Sequence, residues 1–347
     1  MLTFYELMEE VFRLEKSGKK IIRLDIGDTN LPTPSCATAA AIKMLHEKKS
    51  SYGPAAGLPE LREMIAEREE CKIENVVVGP GSKHLIYALM SVIGKRGRVV
   101  FPSPHWPAYE LAARQLGLRA VAARTSLENN WQFESLPLQG ATIAIICNPL
   151  NPTSTVYPSS LIWDTIEEAG KKKVHVVLDE AYKGLSFKHI PKYDAIRIRS
   201  FSKEFNMEGW RLGYVVAPVA VAKRIVAFNH ITATCTPAFV QQAGIACLNN
   251  EKEILSHNKK IWKNRMLVAK KLLKAAGFRF AIPQSGIYVF VTHDSIGDAS
   301  EYALKLLNRG VAVAPGNGFG DYKSFVRICL NQPKDILVKG IKKMAEF

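Results

Sequence analysis

Cysteine is sparse in this chain of 347 residues: Cys36, Cys71, Cys147, Cys235, Cys247 and Cys329 all stand singly. There is no C-x-x-C and no paired Cys/His spacing, so neither a disulfide framework nor a metal site is expected. The thiols read as small buried hydrophobes. Long apolar runs are missing as well, and nothing approaches the roughly 18 residues that span a bilayer. The segment Met1 to Glu10 has neither a basic start nor an apolar stretch behind it. No signal peptide is therefore expected, and the location expected is cytoplasmic. There is no internal repeat and no low-complexity linker. No G-x-G-x-x-G follows a first strand, which argues against a dinucleotide enzyme. Acidic residues are in deficit, 32 against 47 Lys and Arg, for a net charge of +15. The excess is scattered, with Lys171 to Lys173 its longest cluster. That pattern is a solvated basic surface able to attract anionic ligands, not a nucleic-acid stripe.

What is present is core-forming. Hydrophobic residues make up 47% of the chain, enough for more than one compact unit. Apolar runs at 75–78, 98–101, 141–147, 174–178, 195–199 and 213–217 read as strands. Amphipathic stretches at 82–93, 107–115, 159–169, 219–228 and 238–248 read as helices between and after them. The strand runs are continuous rather than alternating, as in a mostly parallel sheet covered by helices on both faces. This predicts an α/β unit. A long helical pattern over 251–275 breaks at Gly277. After it, strands are expected at 279–282, 287–291, 311–314 and 325–330, with helices near 298–308 and from Pro333. This is a smaller α+β unit, and a first helix at 4–16 is expected to pack with it. The division expected is 29–250 for the large domain, and 1–28 with 251–347 for the small one.

Ligands of open α/β sheets sit at the carboxyl ends of the strands. Three polar clusters follow expected strands directly: Asn148 to Asn151, Asp179 to Tyr182 and Ser200 to Lys203. The richest segment is Ser200-Phe-Ser-Lys-Glu-Phe-Asn-Met-Glu-Gly-Trp-Arg-Leu-Gly-Tyr214. A lysine just past a strand can be held beside a carbonyl compound. Burial and nearby cations lower its pKa and make the amine a nucleophile able to form Schiff bases. Arg211 offers a planar fork suited to phosphate, and Ser200 and Ser202 add hydroxyls.

This segment resembles the S-x-S-K…G-x-R-x-G-Y signature of the fold-type I pyridoxal-phosphate (PLP) aminotransferases, the aspartate aminotransferase superfamily of classes I and II. The resemblance extends from Leu24 to Leu330. It implies a seven-stranded, mostly parallel sheet in a large domain that binds PLP, with Lys203 as the lysine that holds the cofactor. Asn148-Pro-Leu-Asn-Pro-Thr153 resembles the family's N-P-x-N-P-T-G box. There Asn151 would bond the cofactor's phenolic oxygen, near the substrate, and Ser154 replaces the family's glycine, which puts the turn in question. Asp179-Glu-Ala-Tyr182 resembles D-x-x-Y. Asp179 would keep the ring nitrogen protonated so that the ring accepts electrons, and Tyr182 would share the phenolic oxygen. Glu180 is given no role. Gly81, Ser82 and Lys83 would form a phosphate cup at a helix N-terminus.

The same resemblance makes Trp106 the aromatic stacked on the ring, with Tyr109 as core and His105 an exposed or satisfied histidine. Arg327, a lone arginine in the apolar run Phe325 to Leu330, would clamp the substrate α-carboxylate, with Gly27 beside it. Tyr52 would reach the cofactor phosphate of a neighbouring subunit, which makes the protein a homodimer with shared sites. The reaction implied is transfer of an amino group from an L-amino acid to a 2-oxo acid, with 2-oxoglutarate the expected acceptor. Asp179, Tyr182 and Lys203 would be its catalytic residues. Decarboxylation or carbon–sulfur cleavage on the same fold is the alternative, and a nucleic-acid-binding regulator a remote one. Residues 225–263 hold no arginine, so none from that segment would hold an acidic substrate side chain; His230 or a lysine could substitute, and an aromatic or neutral donor is the alternative.

Overall fold

The computed structural model describes residues 4–48 and 51–346. The chain opens with α1 (Phe4–Lys16), β1 (Ile22–Leu24), α2 (Ser35–His46) and α3 (Pro59–Glu69). An alternating stretch follows: β2 (Val76–Gly79), α4 (Ser82–Ile93), β3 (Arg98–Ser103), α5 (Ala108–Gln115), β4 (Arg119–Arg124), β5 (Ala141–Cys147) and α6 (Ser159–Lys171). Then come β6 (His175–Asp179), β7 (Ile196–Ser200), the single turn α7 (Phe201–Glu204), β8 (Gly213–Val216), α8 (Val219–Thr232) and α9 (Ala238–Asn249). The last part is α10 (Glu251–Ala275), β9 (Tyr288–Thr292), α11 (Ala299–Asn308), β10 (Val311–Pro315), β11 (Phe325–Cys329) and α12 (Lys334–Met344).

The large sheet has seven strands in the order β2-β8-β7-β6-β5-β3-β4. Pairings from β7 through β4 are parallel, and β8 alone runs antiparallel to both its neighbours. Continuous runs such as Ile143-Ala-Ile-Ile-Cys147 are buried along their length because helices cover both faces. Strand β4 was not legible by that rule. As a sheet edge it is partly exposed along its length, and arginine at each end leaves only the short, small-residue run Ala120-Val-Ala-Ala123 to mark it. The three residues of β1 and the helices α2 and α3 also went unread.

The small sheet has the order β1-β10-β11-β9, with β1 and β10 parallel and the other pairs antiparallel. Its core takes Leu7, Val11 and Leu14 from α1 and Trp262, Met266, Ala269 and Leu273 from α10. Both sets follow the spacing of one helix face. The first helix therefore packs where its sequence pattern put it. Residues 279–282 do not form the expected strand. Only Arg279 bridges, to Thr292, and Pro283 then removes a ladder donor.

Candidate active site

A cavity of about 510 Å³ opens at the carboxyl ends of β5, β6 and β7, where the small sheet meets the large one. Its walls carry Lys203, Asp179, Asn151, Tyr182, Ser82, Lys83, Trp106, Ser200, Ser202, Arg211, Arg327 and Gly27. A larger cleft, about 770 Å³, lies by the opposite ends of β6 and β7 near His175 and Ile196, and none of these residues lines it.

The parallel register fixes the floor. Cys147 ends β5 opposite Asp179, which ends β6. Asp179 is buried, and its Oδ2 accepts a hydrogen bond from the Tyr109 hydroxyl at 2.5 Å while Oδ1 accepts from the Ala181 N–H at 3.2 Å. Burial raises its pKa, and these two hydrogen bonds act against that rise. Among the described residues no cation lies within ion-pair distance of it. Tyr109, expected only as core, is buried and also orients this carboxylate.

Strand β7 ends at Ser200, whose Oγ accepts from the Ser202 N–H at 3.2 Å and caps α7. That turn delivers Lys203 to the cavity, its Nζ 3.4 Å from Glu208 Oε1. Burial pushes the Lys203 amine down, and Glu208, Asp28 and Cys329 oppose this.

Arg327, buried on β11, points its guanidinium across the sheets. Nη2 donates to the Asp25 carbonyl at 2.6 Å and Nη1 to Asn151 Oδ1 at 3.1 Å. The group is sandwiched over the rings of Tyr288 at 4.3 Å and Phe319 at 4.8 Å. Asn151 thus spends its carbonyl on Arg327 and turns its amide nitrogen toward the Tyr182 hydroxyl, 3.4 Å away. The Tyr182 hydroxyl lies 3.2 Å from that of Tyr288. Ser154 keeps the turn a glycine would make: it sits at φ +57° and its Oγ accepts the Tyr288 N–H at 3.2 Å.

At the other end of the cavity, Gly81 caps α4 at φ +87°. It is behind the wall rather than on it, where a Cβ would meet Arg211 Nη2 at 2.5 Å. A Cβ on Gly213 would press on the backbone of Arg199 and Ser82, so β8 and the start of α4 approach only because that residue is glycine. The result is a helix N-terminus, two serines and an arginine fork around one small concavity. Lys83 Nζ stands 5.2 Å from the Trp106 ring and 5.7 Å from that of Tyr5. Burial and then Arg211 lower its pKa. Trp106 meets Tyr109 edge-on at 5.7 Å.

Tyr52 is not on the wall; it is 88% exposed. His230 does not line the cavity, and His105 is buried away from it, 3.7 Å from Glu110. Tyr5, Met8, Asp28, Glu208 and Tyr288 line the site without having been singled out from the sequence. Tyr5 and Met8 share an α1 face by their spacing, and Glu208 is an acid inside the Lys203 segment; those were the available signals. Glu180 has a structural place. It is paired to Lys183 at 2.8 Å and lies 3.7 Å from Arg199, which binds Glu204 at 2.7 Å. Glu69 joins them through Arg199 at 3.5 Å, and it also holds Arg197 at 3.0 Å and the Tyr214 hydroxyl at 2.6 Å. Arg68 links Glu204 at 3.3 Å to Glu251 on α10. This buried network fastens together the segments that carry Asp179 and Lys203.

The donors suit PLP. The concavity at α4 matches a phosphate, and Asp179 is a buried carboxylate with no cation partner among the described residues, which a protonated ring nitrogen would supply. Asn151 and Tyr182 offer hydrogen bonds to a phenolic oxygen, and Lys203 offers an amine.

Comparison with known proteins agrees. Residues 19–341 match the family described as aminotransferase class I and II. An aspartate aminotransferase of Thermococcus kodakarensis is 34% identical over 338 residues, covering 95% of this chain and 89% of the relative. A (5-formylfuran-3-yl)methyl phosphate transaminase of Methanocaldococcus jannaschii is 32% identical over 96% of this chain and 93% of its own length. The solved aspartate aminotransferase of Thermus thermophilus with maleate superposes with a TM-score of 0.93 at 25% identity, covering 99% of this chain and 96% of the other.

Proposed function

The chain belongs to the class I and II aminotransferases, and from that premise we propose that it moves an amino group from an L-amino acid to 2-oxoglutarate, with Lys203 as the amine that carries the cofactor. It is a PLP-dependent enzyme of fold type I. The observation that supports the residue assignment is the convergence of Lys203, Asp179, Asn151, Tyr182 and Arg327 on one cavity from four separate chain segments.

When bound, PLP supplies a ring that takes up the electron pair left at the substrate Cα. The remaining work falls to the chain. Asp179, oriented by Tyr109, would hold a proton on the ring nitrogen. Asn151 Nδ2 and Tyr182 Oη would hold the phenolic oxygen. Ser82, Lys83, Ser200, Ser202 and Arg211 would hold the phosphate, with Gly81 behind them leaving Arg211 its room, and Trp106 would lie against the ring. Arg327, with Gly27 and Asn151 beside it, takes the substrate α-carboxylate and aligns Cα. Lys203 Nζ, kept below the usual lysine range by burial, would take the proton from Cα and deliver it to the cofactor carbon that bears the amino nitrogen.

Two relatives differ in the substrates their names state, aspartate and a phosphorylated furan aldehyde. Aspartate is therefore the first donor to try. The protein is proposed to be a cytoplasmic homodimer in which the exposed Tyr52 serves the partner's phosphate; no helix of the described residues is long and apolar enough to cross a membrane. The division into 29–250 and 1–28 with 251–347 belongs to the same proposal. It draws support from the two sheets with separate cores, although Leu185 packs into the smaller one.

An amino-donor panel with 2-oxoglutarate, scored for glutamate and the matching 2-oxo acid, tests the reaction. Carbon dioxide, or sulfide with ammonia, appearing in place of glutamate would refute it. Borohydride reduction and peptide mapping test the lysine: the pyridoxyl group is expected on Lys203, and its appearance on Lys83 would overturn the assignment.

A further inference from the structure

The segment that carries Lys203 also turns back on it. Asn206 adopts φ +53°, which reverses the chain and brings Glu208 alongside the lysine. Glu208 is fixed at three points. Its Oε1 accepts the Thr29 N–H at 2.8 Å, the same oxygen lies 3.4 Å from Lys203 Nζ, and its carbonyl accepts from Arg211 Nη1 at 2.7 Å. Among the described residues it is the one carboxylate within ion-pair distance of Lys203. The other charged or titratable groups around the lysine are Asp28 beyond β1, Cys329 at the end of β11, Tyr182 and Asp179 beyond and at the end of β6, Cys147 at the end of β5, Tyr288 on β9, Tyr5 on α1, and Arg327, Arg211 and Lys83 across the cavity.

A lysine that takes a proton from a substrate becomes an ammonium, here on a largely buried side chain. Such a charge is unfavourable there unless a partner is already in place. We propose that Glu208 is a positioning residue for Lys203, the counter-ion that holds the protonated amine between taking the substrate proton and returning it. This rests on the reading of Lys203 as the cofactor-bearing and proton-transferring lysine. The same carboxylate, through Thr29, ties that amine to the strip following β1 that lines the cavity with Gly27 and Asp28.

The test uses holoenzyme and two variants. Glu208→Gln keeps an oxygen for the Thr29 N–H and removes the charge, whereas Glu208→Ala removes both. Two readouts are followed against pH: the visible absorption of the bound cofactor and the single-turnover rate with a good amino donor. Loss of a nearby negative charge favours the neutral amine. The midpoint of the absorption change and the acid limb of the rate should therefore both move to lower pH, by about one unit, in either variant. Profiles that superimpose on the wild type overturn the proposal. So does a shift in Glu208→Ala with none in Glu208→Gln, which would make the Thr29 contact, not the charge, the active element. If one variant does not accumulate as folded holoenzyme, the other decides by the same criterion. Borohydride mapping of each variant separates this outcome from failure of the underlying reading, because a label away from Lys203 would refute that reading first.

Discussion

Replacing Glu69 with glutamine should remove much of the acid sensitivity of the fold. Glu69 is buried at the end of α3, with Arg197 Nη1 at 3.0 Å, Arg199 Nη1 at 3.5 Å and the Tyr214 hydroxyl at 2.6 Å. Burial alone would raise its pKa. The charge of Arg199, the Tyr214 hydrogen bond and the charges of Arg197 and Arg68 outweigh burial and hold it at about 2, against an ordinary 4.5. A carboxyl depressed in the folded state contributes stability that is fully present above its unfolded pKa. That contribution is lost as pH falls through the folded one, here from about pH 5 to about pH 2. The depression corresponds to about 3 kcal/mol. Glu69→Gln also leaves buried arginines short of a partner, so the cost at pH 7 should be about 3–5 kcal/mol. Urea denaturation of both proteins, stepped from pH 7 to pH 2 with refolding checked at each step, measures the gap. It should be wide at pH 7 and shrink by about 3 kcal/mol toward pH 2. A gap that stays constant with pH, or one under about 1 kcal/mol at neutrality, would refute the reasoning.

Asp179→Asn should leave the Tyr109 contact and the fold in place yet slow proton removal by at least about a hundredfold in single turnover, because the ring nitrogen loses its charge partner; a near-wild-type rate removes Asp179 from the role. Ser154→Gly should change stability by less than about 1 kcal/mol, since relief of left-handed strain offsets loss of the Tyr288 N–H bond, whereas Ser154→Ala keeps the strain and should cost about 1 kcal/mol or more in the same denaturation assay. Mixing Lys203→Ala with Tyr52→Ala subunits should restore about a quarter of wild-type sites, because about half of randomly paired dimers are hybrids with one intact site each. Lys203→Ala mixed with Arg327→Ala should restore none. No recovery in the first mixture, with hybrids shown to form, would place Tyr52 outside the partner's site.

Legibility in the sequence followed burial. Strand β5 and helices α4 and α10 could be bounded to the residue because burial on both faces, or on one helix face, imposes a period on the side chains. Edge strand β4 and three-residue β1 impose none, and segment 279–282 has apolar residues without a partner strand along its length. The candidate site was legible where one stretch of sequence supplies several cavity-lining residues, as from Ser200 to Arg211. It was not where function depends on contacts between distant segments. Tyr109 looked like core because its ring is core; only the fold brings its hydroxyl to Asp179. Tyr5, Met8 and Tyr288 reach the cavity from elements whose patterns report the packing of the small sheet. Glu180 follows Asp179 in the chain, yet its partners Lys183 and Arg199 assign it to the charge network.

Gly27 and Tyr288 occupy, in effect, a single space. A Cβ at position 27 would fall on the Tyr288 hydroxyl, the same group that lies beside Tyr182 in the cavity. Mutational drift at these two positions is therefore not independent. A lineage that acquires a side chain at 27 must first shorten or redirect the tyrosine at 288, and with that it gives up the hydroxyl nearest Tyr182. The reverse order is open: loss of the hydroxyl at 288 leaves room in which position 27 can begin to vary. Descendants of this chain should thus divide into those with glycine and tyrosine together and those in which 288 changed before 27.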